Sequence, residues 1–217
     1  MLLSTLIFLI LVWLTTLKAG WKFSLITGLV LIIWLGGVVI LGRAGFFAAN
    51  PLFAPNIIFA FLILFGVLRK VLASRPVQNF IKKTSVPWLT VIQTYRVVGV
   101  SFFVLYNQGV LPAVFAFPSG LGDVFIGATA PIVALIYLLK KSYSKKLAII
   151  WNIIGIADLV IAVSIGILAF PRPVQFLPTI ISTEPLSLYP LVVIPLFAVP
   201  LAIVIHMISL KKVAFAP

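Results

Sequence analysis

Residues 146–168 read KLAIIWNIIGIADLVIAVSIGIL. In this stretch one lysine is followed by 22 residues that include a single charged side chain, Asp158. A helix needs about 20 mainly apolar residues to cross the hydrocarbon core of a bilayer. Further apolar segments of the same character lie on both sides of this stretch. Together they predict seven transmembrane helices, at about 2–17, 23–42, 52–68, 87–107, 122–139, 147–169 and 187–210.

The composition of the whole chain indicates the same class of protein. Of its 217 residues 63% are hydrophobic and 9% are charged, and its mean hydropathy is +1.30. Soluble domains carry about 25% charged residues, so this chain could not cover a globular surface with polar groups. We therefore predict an all-α, polytopic transmembrane helix bundle that forms a single domain over residues 1–217, with the lipid bilayer as its surroundings.

The distribution of positive charge predicts the orientation of the bundle. Lys and Arg number 16 and give a net charge of +13, but they lie in short runs between apolar segments, which does not favour a nucleic-acid partner. Arg43 and Arg172 fall in the connections of one side, and Arg96 lies inside a helix. The other side and the tail hold the remaining thirteen: Lys18, Lys22, Arg69, Lys70, Arg75, Lys82, Lys83, Lys140, Lys141, Lys145, Lys146, Lys211 and Lys212. This bias predicts an outer N-terminus and a cytoplasmic C-terminus in a bacterial-type plasma membrane.

The connections on the two sides differ in character. Those of the predicted outer side, 43–56, 107–122 and 170–188, are rich in Pro, Gly and Phe but remain apolar. We expect them to fold as non-helical caps over the outer end of the bundle. The inner connection 74–87 reads SRPVQNFIKKTSVP and predicts a short amphipathic segment at the membrane interface.

Charged residues near the middle of two predicted helices are the strongest functional candidates. Arg96 and Asp158 lie at similar depth, about nine and eleven residues from the inner ends of their helices. Each costs about 2.5–3.5 kcal/mol at the centre of a spanning helix, so a partner, a wet cavity or a function is expected for each. We predict an ion pair between them, which could fix helix packing or could line a substrate or proton pathway.

Other polar residues extend this centre, and each has two interpretations. Asp123 follows the sequence SGLG, where it could cap the N-terminus of the helix at 122–139, or could instead line a cavity and compete for Arg96. The single histidine, His206, lies at a depth similar to Gln93 and Asn152, so it could be a structural hydrogen-bonding residue or could handle protons.

Several motifs resemble those of uncharacterised bacterial polytopic membrane proteins. They are QTYRVVG at 93–99, LP at 111–112, FAFPSGLGD at 115–123, the Trp151–Asn152 pair with Gly155 and Asp158, and His206. The resemblance covers about the C-terminal 60% of the chain, and it implies no activity.

The residues that known seven-helix membrane proteins need for their chemistry are absent from this sequence. A retinal pump needs a lysine in the middle of the last helix, but this chain has none there before Lys211. Ligation of haem by two histidines, or a catalytic zinc site, needs more ligands than one histidine and three acidic residues can supply. With no cysteine there is no thiolate chemistry. We therefore expect no cofactor, no metal and no enzymatic activity.

Two functions remain from the sequence. The first is a small-solute or proton-linked permease that acts on a small molecule or ion, with its polar centre at Arg96, Asp158 and Asp123. In it Arg96 would hold an anionic group or gate through the ion pair, and the carboxylates would be counter-ions or proton carriers. The second is a structural or accessory subunit in which the Arg–Asp pair only fixes helix packing. The presence of a wet path to the pair distinguishes them.

Overall fold

The computed structural model describes residues 2–48, 66–67, 69–70, 72–171 and 176–214. The helix predicted at 52–68 lies almost wholly outside these residues. The described part is all-α and contains no strand. Its helices are α1 Leu2–Thr16, α2 Trp21–Arg43, α3 Arg75–Lys83, α4 Val86–Asn107, α5 Ala113–Leu138, α6 Ser144–Leu168 and α7 Ile194–Ala214.

Five of the described helices are long and apolar enough to cross a membrane: α2, α4, α5, α6 and α7. The prediction of a polytopic helical membrane protein is thereby confirmed at the level of the fold. Helix α1 is shorter, at 15 residues, and spans about 22 Å at 1.5 Å per residue. Gly20, whose φ of +116° favours glycine, separates α1 from α2, so the two helices remain distinct.

The basic connections lie together at one end of the bundle. Val86, Tyr137, Ala148 and Val213 pack against one another there, although they belong to α4, α5, α6 and α7. Helix α3 lies at the same end, where the Lys212 ammonium donates to the Lys82 carbonyl. We call this the basic end. That it faces the cytoplasm remains a prediction.

The connection at 74–87 forms the amphipathic helix that its sequence predicts. In α3 the side chains of Phe80 and Ile81 are buried, whereas Arg75, Lys82 and Lys83 are exposed. The apolar face of this short helix therefore packs on the bundle and its cations point away from it.

Helix α5 begins about nine residues earlier than the sequence predicts. Residues 113–122 were expected to form a non-helical outer loop, but they are the first turns of α5, with Pro118 inside the helix. The expectation was wrong because it gave too much weight to proline and glycine. Where water is absent, backbone groups are satisfied best within a helix, and packing against α4 buries Phe115, Ala116 and Gly120.

Two of the long helices contain an irregular segment. The middle of α4, Gln93–Gly99, is a 3₁₀ helix, and α7 begins with a π-helical turn, Ile194–Ala198. Longer 3₁₀ runs are uncommon, and such departures often occur at functional sites. The described part of the connection before α7 folds onto the bundle, since Thr183, Leu186 and Ser187 are buried, as predicted for a cap.

Candidate functional site

Arg96 is the centre of the buried polar groups. It lies in the 3₁₀ segment of α4, and 1% of its side chain is exposed. Its Nε donates to Asp123 Oδ1 at 2.7 Å, and its Nη2 donates to Asp158 Oδ2. Its Nη1 contacts the Gly155 carbonyl and His206 Nε2, both at 3.3 Å. One guanidinium therefore joins α4 to α5, α6 and α7.

Asp123 is a counter-ion of Arg96 and not a helix cap. The capping interpretation is wrong because α5 begins at Ala113, ten residues before Asp123, so the backbone N–H of Asp123 is already inside the helix. The alternative interpretation, competition with Asp158 for Arg96, has a different outcome: the guanidinium contacts both carboxylates at once through different nitrogens.

Glycines make the space that the charged cluster occupies. A Cβ on Gly99 would collide with Asp123, and one on Gly122 would collide with the carboxylate of Asp158. On Gly155 it would lie 2.6 Å from His206 Nε2, and on Gly127 it would lie 2.5 Å from the backbone nitrogen of Val97. Each of these positions therefore brings a neighbouring helix or charged side chain closer than any larger residue would allow.

A hydrogen-bonded chain leads from Arg96 toward the basic end. His206 Nδ1 lies 2.9 Å from Asn152 Oδ1, and the Asn152 amide donates to Ser209 Oγ at 3.1 Å and to the Ala148 carbonyl at 2.7 Å. Because the Asn152 oxygen accepts, Nδ1 of His206 carries the hydrogen and Nε2 accepts from Arg96. The chain thus runs from Ser209 through Asn152 and His206 to Arg96.

Gln93 lies outside this chain. Its side chain is fully buried, and its Nε2 donates to the Ala202 carbonyl of α7 at 3.1 Å. Its Oε1 has no hydrogen-bond partner among the described residues. Of the three residues predicted at similar depth, His206 and Asn152 therefore contact each other, whereas Gln93 binds the backbone of α7.

The cluster holds more acidic than basic groups. One guanidinium faces two carboxyl groups, so with both carboxyl groups ionised and His206 neutral the formal charges of +1 and −2 sum to −1. Four of the five guanidinium N–H groups are engaged. By contrast, the hydrogen bonds that Arg96 makes to the two carboxylates use one oxygen of each, Asp123 Oδ1 and Asp158 Oδ2. The unused capacity of the site is thus negative and hydrogen-bond accepting.

Two cavities adjoin Asp123. The smaller, of about 40 Å³, lies between the 3₁₀ segment of α4 and the π turn of α7, and it reaches Arg96. The Ser101 hydroxyl lines it and has no partner in the described part of the chain. The larger, of about 70 Å³, lies under Thr183 and Ser187 at the end opposite the basic end. Both are large enough for water.

Sequence reasoning missed several contributors to this site. Among them are Gly122, which was assigned to a turn at SGLG and not to a close helix contact, Gly127, and Ser209, a small hydroxyl on a helix rich in apolar residues. No group of three or more His, Cys, Asp or Glu side chains that could hold a metal ion occurs in the residues that the structure describes.

Comparison with known proteins assigns the chain to a family. The model of a domain of unknown function, DUF8737, matches residues 52–214, so the chain belongs to that family. No curated protein and no solved structure matches the chain. The matched residues include Arg96, Asp123, Asp158 and His206.

Proposed function

We propose that this member of the DUF8737 family is a small proton- or cation-linked permease whose binding centre is the pair of carboxylates held by Arg96. The observation that supports it most is the excess of carboxyl groups in the buried cluster, where one guanidinium faces two of them. With both ionised, one negative charge would be left in a medium of low dielectric, where uncompensated charge is expensive. A bound proton or a cation would neutralise that charge.

The roles of the residues follow from their remaining hydrogen-bond capacity. Arg96 has one N–H left, so it acts as an internal counter-ion and not as a receptor for an anionic substrate. Asp123 and Asp158 each keep one oxygen that these hydrogen bonds to Arg96 do not use, and these oxygens would take up the proton or cation. The chain through His206, Asn152 and Ser209 provides groups that both donate and accept toward the basic end.

The irregular helices support a moving part at the same place. The 3₁₀ segment of α4 carries Arg96, and the π turn of α7 lies across the smaller cavity from it. Segments of these two kinds repack by small changes of hydrogen bonding, so they suit a gate between the two ends of the bundle.

A structural or accessory role is the second candidate, and the burial of Arg96 favours it. A guanidinium that is 1% exposed and bonded to three other helices would also serve as a lock between them. The two roles differ in one property. A permease must open a water path to the carboxylates, whereas a lock stays dry.

Thiol accessibility tests this difference, since the chain has no cysteine. We expect Ser101→Cys, beside the smaller cavity, and Ala162→Cys, in the wall of the larger one, to react with a membrane-impermeant thiol reagent in proteoliposomes. Ser119→Cys is the control for a protected position, because Ser119 is buried and lines neither cavity, whereas Ser101 and Ala162 are half-buried. Reaction at least about tenfold faster than at Ser119→Cys supports a permease. Equal protection of all three from both sides would favour the accessory role.

A further inference from the structure

We propose that the larger cavity binds a small primary ammonium ion, with its nitrogen on the Asp123 carboxylate. This inference rests on the proposed function and names its substrate class. The cavity of about 70 Å³ is lined by residues of α4, α5, α6, α7 and the segment 183–187. Asp123 is the only charged residue among those that line it in the described part of the chain.

The polar side chains among the described residues that line this cavity have no hydrogen left to donate. The Thr183 hydroxyl gives its hydrogen to the Gly166 carbonyl at 2.6 Å, and the Ser187 hydroxyl gives its hydrogen to the Glu184 carbonyl at 2.7 Å. Both side chains are buried, at 0% and 1% exposure, so neither hydroxyl offers a hydrogen to a ligand in the cavity. The carboxylate of Asp123 is the acceptor that such a ligand would meet. A ligand that matches it carries a positive charge and hydrogens to donate, as a small primary ammonium ion does.

The remaining walls favour an organic cation over a metal ion. They are apolar and include the rings of Phe102 and Phe115, which pack edge to face with centroids 5.4 Å apart. Aromatic rings attract ammonium groups through their electron-rich faces, and apolar walls accommodate a short alkyl chain. Alkali and alkaline-earth ions instead need several more oxygen ligands than this cavity presents.

The volume limits how many atoms of a ligand the cavity holds. An apolar cavity of about 150 Å³ binds benzene, which has six heavy atoms, so a cavity half as large holds roughly three. Methylammonium and ethylammonium meet this limit.

Equilibrium dialysis of radiolabelled ethylammonium against the purified full-length protein in detergent, at neutral pH and constant ionic strength, tests the proposal. We expect one saturable site whose affinity falls at least about tenfold in Asp123→Asn, which removes the charge but keeps an acceptor for Arg96. Ala162→Leu leaves the charges intact and fills the cavity, so we expect a similar loss. Ala157→Leu on the exposed face of the same helix, and Glu184→Gln at the third acidic residue, should leave binding unchanged.

Competition identifies the chemistry that is recognised. Methylammonium should displace the label, whereas potassium and ethanol at the same concentrations should not. Equal binding by Ala162→Leu and the parent protein, or equal displacement by potassium, would overturn the proposal. The proposed function is tested separately. Saturable binding together with protection of Ser101→Cys would support the ammonium site and contradict the permease function. Reaction of Ser101→Cys without ethylammonium binding would support the permease function and contradict the ammonium site.

Discussion

The buried guanidinium of Arg96 is satisfied by groups from three neighbouring helices, and glycine makes that arrangement possible. Two carboxylates, a carbonyl and an imidazole nitrogen surround it. Such groups can approach so closely only where the facing residue has no side chain, as at Gly122 and Gly155. At the scale of the residue, the glycines are therefore as much a part of the site as the charges.

Adding one methyl group at Gly155 should disturb the cluster. The new Cβ would lie 2.6 Å from His206 Nε2, so His206 must move away from Arg96. We expect Gly155→Ala to lower the free energy of unfolding by about 1–3 kcal/mol, as overpacking does. Gly36→Ala is the control, because nothing lies within 4 Å of a Cβ there and helix propensity alone should raise stability by up to about 1 kcal/mol. Denaturant titration in mixed micelles measures both, and equal values would contradict this account.

At the scale of the element, the start of α5 decides the role of Asp123. The sequence FAFPSGLGD predicted a turn and then a capped helix, since proline and glycine usually end helices in water. In the structure the helix runs through these residues, and Asp123 projects from its interior toward Arg96. The sequence could not predict this, because the decisive contact joins residues 27 positions apart in different helices.

Two substitutions at Asp123 separate a cap from a counter-ion. Serine and asparagine are both good N-cap residues, so a capping role would tolerate both equally. Asparagine still reaches the Arg96 Nε and removes the excess negative charge, whereas serine is too short to reach it. We expect Asp123→Asn to change the free energy of unfolding by less than about 1 kcal/mol, and Asp123→Ser to lower it by about 1–3 kcal/mol, the cost of an unpaired buried donor. The same micelle titration measures the difference, and equal tolerance would restore the capping interpretation.

At the scale of the whole molecule, composition and charge order determined the class of fold, and packing determined the site. A helix in lipid needs only length and apolar character, which are properties of one segment, so the long helices could be predicted from their own residues. The depth of Arg96 and Asp158 followed from counting along their helices, and the structure brings them into contact. The contact with the second carboxylate, the 3₁₀ segment and the cavities depend on how the helices pack together. The sequence of one segment alone does not predict that packing.

The distribution of charge predicts the orientation of the molecule in the membrane, and this orientation can be measured directly. Insertion retains clustered lysines and arginines in the cytoplasm, so the basic end should face inward. Gln108 is exposed after α4 at the opposite end, and Ser142 is exposed in the connection of the basic end between α5 and α6. In intact cells an impermeant maleimide should label Gln108→Cys, and it should label Ser142→Cys only after the membrane is permeabilised. The cysteine-free parent chain controls for background. The reverse pattern would place the basic end outside and make residues 183–187, above the ammonium cavity, a cytoplasmic surface. Partial labelling of both cysteines would mean that the chain inserts in two orientations, so that the cavity opens to both sides of the membrane in different copies.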